Sequence, residues 1–158
     1  MTISLAIHRP VWRFGIVVLA AVLASCATLG EVEEREHEHG NYHLYVPESY
    51  TTASDVVVVV HGTPGKDEDA NEVARTFIER WTDFADATAS IIVTPVFDQE
   101  KYASKKGSYG GYRGLYGGEV GAEEFLHEIL AEVDVIAPTS EQRFYVEGVF
   151  AGGQVANG

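Results

Sequence analysis

DVVVVVHGTPG, residues 55 to 65, is the stretch from which the fold can be predicted. Its five consecutive valines make both faces of an extended chain apolar, and glycine and proline end the run. Such a strand belongs inside a parallel sheet, because helices cover both surfaces of that kind of sheet. The sequence therefore predicts a central parallel strand over residues 56–60, with the HGTPG turn leaving its carboxyl end.

Further strands and helices follow the same pattern. NYHLYVP alternates like a strand, SIIVTPVFD (residues 90–98) reads as a second buried strand, and RFYVE (residues 143–147) reads as a third. One helix begins at Asp69, with an apolar stripe of Val73, Phe77, Trp81 and Phe84, and another occupies residues 119–136. This order predicts an α/β fold of three layers with a mostly parallel sheet. Its strand ends share one edge, where ligand sites lie.

Composition limits the size and the partners of the protein. A chain of 158 residues with 46% hydrophobic content forms one domain with a modest core. The net charge of -13, without a stripe of lysine or arginine, argues against nucleic acid as a partner.

The first 25 residues have the layout of a signal peptide, with two arginines followed by an apolar run too short to span a bilayer comfortably. The ending Leu23-Ala24-Ser25-Cys26 resembles the lipobox of bacterial lipoproteins. This resemblance implies that a lipid on Cys26 holds the mature chain to a membrane of the bacterial cell envelope, facing the periplasm or the exterior. Residues 26–40 are then interpreted as an acidic, solvated tether.

Three histidines fall in or near this tether, at positions 37, 39 and 43. They have neither a cysteine partner nor the helical i, i+4 spacing of a metal-binding pair, so they are interpreted as solvent-facing side chains. The sequence implies no metal and no organic cofactor.

VVVVVHGTPG, IIVTPVFD and RFYVEGVFAGG together resemble the N-terminal part of the α/β-hydrolase superfamily. The similarity covers residues 41–158 and is greatest to secreted esterases and poly(hydroxyalkanoate)-depolymerase-like proteins. It implies a partial α/β-hydrolase domain, incomplete at its C-terminus.

The resemblance also assigns roles to residues at the predicted sheet edge. GVFAGG matches the sharp turn that carries the nucleophile, which is supported by the glycines 148, 152 and 153. Phe150 occupies the position of the nucleophile. The backbone amides of Thr63 and Ala151 match the oxyanion hole, and His61 and Gly62 support its loop.

A benzyl side chain has no lone pair with which to attack an ester, so the sequence predicts a lipid-anchored member of the serine hydrolases without turnover. The acid and the histidine of a triad are also expected to be missing before Gly158. Small esters or polyesters are the expected ligands. The alternative is a non-catalytic lipoprotein that uses the retained cleft for binding.

Two other features bear on function. A buried strand followed by GTPGKD suggests a phosphate-binding loop, but Val60 stands where that loop needs its first glycine and Asp67 stands where it needs a hydroxyl. The sequence therefore argues against nucleotide binding. The tyrosine- and glycine-rich segment at residues 107–121 is either a flap over the site or a connector without a ligand, and the sequence leaves both open.

Overall fold

The computed structural model describes residues 26–65, 67–98, 102, 121–140 and 143–148. The predicted signal peptide, most of the tyrosine-rich segment, and positions 150 to 153 of the predicted nucleophile turn lie outside these residues.

Within the described residues the chain forms one sheet of five strands and three helices. In chain order these are β1 (Val32–Arg35), β2 (Tyr42–Tyr45), β3 (Val56–Val60), α1 (Ala70–Glu79), α2 (Thr82–Thr88), β4 (Ile91–Pro95), α3 (Ala122–Ile136) and β5 (Phe144–Gly148). The strands lie in the order β1-β2-β4-β3-β5. β3 is parallel to both β4 and β5, whereas β1 and β2 add an antiparallel pair at one side. The predicted α/β sheet is confirmed.

Side chains of β3 alternate between two cores. Val56, Val58 and Val60 pack with α3, and Val57 and Val59 pack with α1 and α2 on the opposite face. Five buried valines in a row are explained by this arrangement, because both faces of the strand are covered by helices.

The structure differs from the prediction for the first helix. The helical pattern is interrupted at Arg80 and Trp81, so two helices form where one was predicted. Ala74 and Ile78 are the buried residues of α1, whereas Phe84 is exposed. The predicted stripe was therefore wrong at Phe84, because the buried face of the two helices is formed by Ala74, Ile78 and Ala85, and Phe84 lies beside it.

Residues 32–35, which lie within the predicted tether, form β1. They pair with β2 over the register from Val32 and Tyr45 to Arg35 and Tyr42. The strand was not predicted because the segment is acidic and has no buried apolar face. Backbone hydrogen bonds to β2 form the strand instead.

Candidate functional site at the carboxyl edge of the sheet

The parallel strands place two predicted site segments side by side. Val60 is paired with Gly148 in the register of β3 and β5, and each is the last residue of its strand. β3 and β5 therefore end at the same level of the sheet, where the loop that starts at His61 begins. Neighbouring strand ends of this kind form the usual ligand edge of a parallel sheet.

His61 joins the ends of β3 and β4. Its imidazole is fully buried, with Nδ1 2.7 Å from the carbonyl oxygen of Gly62 and Nε2 3.2 Å from the backbone nitrogen of Phe97. Because the Phe97 N–H can only donate, Nε2 is the acceptor and Nδ1 carries the proton that is donated to Gly62. Both ring nitrogens are thus used in structural hydrogen bonds.

Burial lowers the pKa of His61, and the neighbouring His43 adds to this effect, against the opposing hydrogen bond to Gly62. A neutral ring is also what the hydrogen bonds require, since protonated Nε2 would face the Phe97 donor. His61 is therefore placed to hold the loop and not to exchange protons with a ligand.

Two hydrogen bonds between Gly65 and Glu68 close the loop after His61. The Gly65 N–H donates to the Glu68 carboxylate at 2.6 Å, and the Glu68 N–H donates to the Gly65 carbonyl at 3.1 Å. A Cβ at Gly65 would lie 3.1 Å from Glu68 Oε2, so a larger residue here would displace this carboxylate. Asp69 then caps α1 by accepting from the Asn71 N–H at 2.7 Å, as the sequence predicted.

Thr63 lies at the turn of this loop and is half-buried. Among the described residues its amide has no hydrogen-bond acceptor. This amide could therefore donate to a ligand, as the oxyanion assignment requires. Whether it does so during a reaction stays a prediction, as do the roles assigned to Gly62 and Gly148.

An open cleft of about 490 Å³ lies between this loop and α1. Its lining combines backbone, three carboxylates and one guanidinium, and consists of Gly62, Thr63, Glu68, Asp69, Glu72, Val73, Thr76, Phe77 and Arg80. The excess of negative charge disfavours an anionic ligand and leaves neutral or cationic ligands as the better match.

The histidines that the sequence grouped together are separated by the fold. His43 is buried in β2, with Nε2 2.9 Å from Asn71 Oδ1. His37 and His39 lie instead beside Glu128 of α3. The solvent-facing interpretation was therefore wrong for His43. Glu128 was missed because it is 89 residues from His39 in sequence.

His127 could be considered as a replacement base for an ester hydrolase. Its Nε2 is 3.9 Å from Glu123 Oε1 on the same exposed face of α3. His127 is an exposed helical residue and is not among the described residues that line the cleft.

Cys26 is exposed, and its thiol is not in a disulfide. No helix within the described ranges combines the length and apolarity needed to cross a bilayer. Ala151, Gly152, Gly153 and Phe150 lie outside those ranges, so the turn predicted around them is untested.

Comparison with known proteins gives no matching family model and no matching curated protein. Among solved structures, the LpqC poly(3-hydroxybutyrate) depolymerase of Bordetella parapertussis aligns with a TM-score of 0.55 at 23% identity, over 81% of this chain and 45% of that one. Poly(aspartic acid) hydrolase-1 of Sphingomonas sp. KT-1 aligns with a TM-score of 0.54 at 18% identity, over 79% and 48%.

This chain thus spans less than half the length of either protein. The likeness, the parallel β4-β3-β5 core and the helices on both faces agree with the resemblance found in the sequence. The protein has an α/β-hydrolase-like fold, of which the chain comprises a part.

Proposed function

We propose that the protein is a lipid-anchored, carboxylic-ester-hydrolase-like protein of the bacterial cell envelope that does not turn over esters with phenylalanine at position 150. The observation that carries this proposal is the pairing of Val60 with Gly148. It brings the start of the loop that contains Thr63 to the end of β5, two residues before the position that the resemblance assigns to the nucleophile.

In ester hydrolysis a nucleophile adds to the carbonyl carbon, and the negative charge that develops on the carbonyl oxygen is stabilised by N–H donors. In this chain the donors would be the amides of Thr63 and Ala151. Phe150 offers no oxygen or sulfur to form the new bond. The tetrahedral intermediate therefore cannot form on this residue, although a substrate could still occupy the cleft.

The charge of the cleft lining indicates which class of ligand the cleft would bind. Glu68, Asp69 and Glu72 would repel a polyanion, and Arg80 is the one cation in the lining among the described residues. A neutral ester, or a segment of neutral polyester, meets no such repulsion. We therefore assign uncharged esters to the cleft.

Hydrolysis of a nitrophenyl butanoate by the full chain tests the catalytic part of the proposal. The chain with Phe150 and the variant Phe150→Ala should both react no faster than buffer. Phe150→Cys should become acylated on residue 150 with release of nitrophenolate, detected by mass spectrometry, because a thiol supplies a bond-forming atom that depends least on a triad base. Turnover by the unchanged chain would refute the proposal.

Lipid attachment through Cys26 is tested separately in a bacterial host fed a clickable palmitate analogue. The unchanged chain should carry the label and partition into detergent, and Cys26→Ala should lose both properties. Equal labelling of the two proteins would exclude Cys26 as the anchor.

The second candidate function is non-catalytic binding in the same cleft. It is favoured by one observation: the described lining of the cleft comes from the loop after β3, from α1 and from Arg80, and these residues can contact a ligand whatever residue stands at position 150. Binding of a neutral 3-hydroxybutanoate oligomer by the unchanged chain, together with no acylation of Phe150→Cys, would favour this function over the first.

A further inference from the structure

The two histidines of the β1-β2 hairpin form a cluster with a carboxylate of α3. His39 Nδ1 lies 2.6 Å from Glu128 Oε2, and His37 Nδ1 lies 3.9 Å from the same oxygen. One ligand atom from each of the three residues falls within 4.8 Å of the others. We propose that His37, His39 and Glu128 bind a divalent transition-metal ion, best matched by zinc, that fastens the hairpin to α3.

The spacing of the three side chains suits such an ion. Zinc holds nitrogen and oxygen ligands at about 2.0 to 2.2 Å, so two ligand atoms of a tetrahedral site lie about 3.4 Å apart. The distances of 2.6 and 3.9 Å from Glu128 Oε2 lie on either side of that value. His37 Nδ1 accepts the His39 N–H at 3.3 Å, so the His37 ring would have to give up this hydrogen bond in order to bind an ion through that nitrogen.

The segment that presents the histidines is held by contacts within the hairpin, with Tyr102 and with α3. The Gly40 N–H donates to the His37 carbonyl at 3.2 Å, and the Tyr102 hydroxyl donates to the His39 carbonyl at 2.9 Å. The ring of His37 packs against Phe125, with centroids 5.6 Å apart. A Cβ at Gly40 would approach Phe125 Cζ to 3.2 Å, so the hairpin contacts the helix closely.

Accessibility and charge also favour a cation. The side chains of His37, His39 and Glu128 are 19, 27 and 32% exposed, so an ion can enter while part of the site is shielded from water. The carboxylates of Glu38 and Glu124 lie close enough to act on His39 electrostatically. They add negative potential around a site whose one charged ligand is Glu128.

The ligand set selects the class of metal. Imidazole nitrogen with carboxylate oxygen suits zinc and its neighbours in the first transition row, whereas calcium and magnesium prefer oxygen ligands alone. Three protein ligands leave a fourth tetrahedral position for water. Because the ligands come from a hairpin and a helix that are distant in sequence, the ion would act as a cross-link between the two.

Zinc titration of the full chain by isothermal calorimetry tests this proposal, with detergent present and no histidine affinity tag. One zinc ion should bind per chain, and His39→Ala and Glu128→Gln should each weaken binding by about 100-fold or more, since even outer-shell partners of a zinc site contribute 10- to 100-fold. Calcium should not compete with zinc. Circular dichroism of each variant should show that it remains folded.

The same helix provides a matched control. His127 and Glu123 form a histidine–glutamate pair 3.9 Å apart, and their side chains are 76 and 59% exposed. Among the described residues this pair has no third ligand. His127→Ala and Glu123→Gln should leave zinc affinity unchanged.

Three results would overturn the proposal: no stoichiometric zinc binding by the unchanged chain, full affinity in a folded Glu128→Gln variant, or equal losses in the control variants. The first two would leave the His39–Glu128 contact as a hydrogen-bonded pair, and the third would indicate unspecific surface binding. None of these results depends on whether the protein hydrolyses esters.

Discussion

Replacement of His61 tests whether one buried imidazole holds the candidate oxyanion loop to the sheet. His61→Gln can still present an acceptor, its Oε1, near the place of Nε2. His61→Leu has a similar size but no acceptor for the Phe97 N–H, which His61 now accepts at 3.2 Å. Removing the acceptor of a buried donor costs about 1 to 3 kcal/mol. The leucine variant should therefore be less stable than the glutamine variant by about 2 kcal/mol.

The pH dependence of the free energy of unfolding provides a second test of His61. Burial holds the pKa of His61 below its ordinary value of 6.5. Below that pH the unfolded chain takes up a proton that the folded chain does not, so the free energy of unfolding decreases as pH falls towards the folded pKa. The slope is at most about 1.4 kcal/mol per pH unit. His61→Gln lacks this contribution.

Urea unfolding of the full chain, followed by far-ultraviolet circular dichroism, measures both effects. The stability of the unchanged chain relative to His61→Gln should decrease by up to about 1 kcal/mol between about pH 6.5 and about pH 5.5. Equal stabilities of the leucine and glutamine variants at neutral pH would refute the role of the Phe97 hydrogen bond. A difference that does not change with pH would refute a lowered pKa.

Three other substitutions test separate parts of the account. Phe125→Ala should reduce the free energy of unfolding by about 3 to 5 kcal/mol, because Phe125 is fully buried, whereas exposed Phe84→Ala should cost about 1 kcal/mol or less in the same urea titration. In a Phe150→Cys background, Thr63→Pro should slow acylation about 100-fold by removing the amide donor, and Thr63→Ala should not, as single-turnover mass spectrometry would show. Tyr145 and Val135 are exposed residues of β5 and α3, respectively. Tyr145→Thr should reduce light scattering from aggregates, because an exposed apolar edge strand promotes association, whereas Val135→Thr should not.

Much of the sheet could be predicted because β3 carries an unambiguous signal. Five adjacent valines permit little besides a strand covered on both faces, and the structure places them there. β1 could not be predicted in the same way. Its VEER sequence has no apolar alternation, and the strand exists because β2 offers it backbone partners. Tertiary pairing of this kind is not encoded in the local composition.

The candidate site was predictable to a similar extent. HGTPG after a buried strand indicated the position of the loop, and the register of β3 and β5 confirms that it lies beside the end of β5. The acceptor role of His61 could not be inferred, because its partner Phe97 is 36 residues away. The same limit applies to His37, His39 and Glu128, whose proximity follows from the packing of the hairpin on α3.

Loss of the nucleophile need not remove the cleft, because the hydrogen bonds that shape the cleft are not made by the nucleophile. The contacts that shape the cleft within the described residues are the His61 bridge to Phe97, the Gly65–Glu68 turn and the Asp69 cap. All of them precede β5, and His61 and Phe97 are fully buried. A substitution two residues beyond β5 removes chemistry without removing any of these bonds. Selection on ligand binding could therefore preserve this edge of the sheet after catalysis had been lost, which makes binding by the unchanged chain the measurement that separates the two proposed functions.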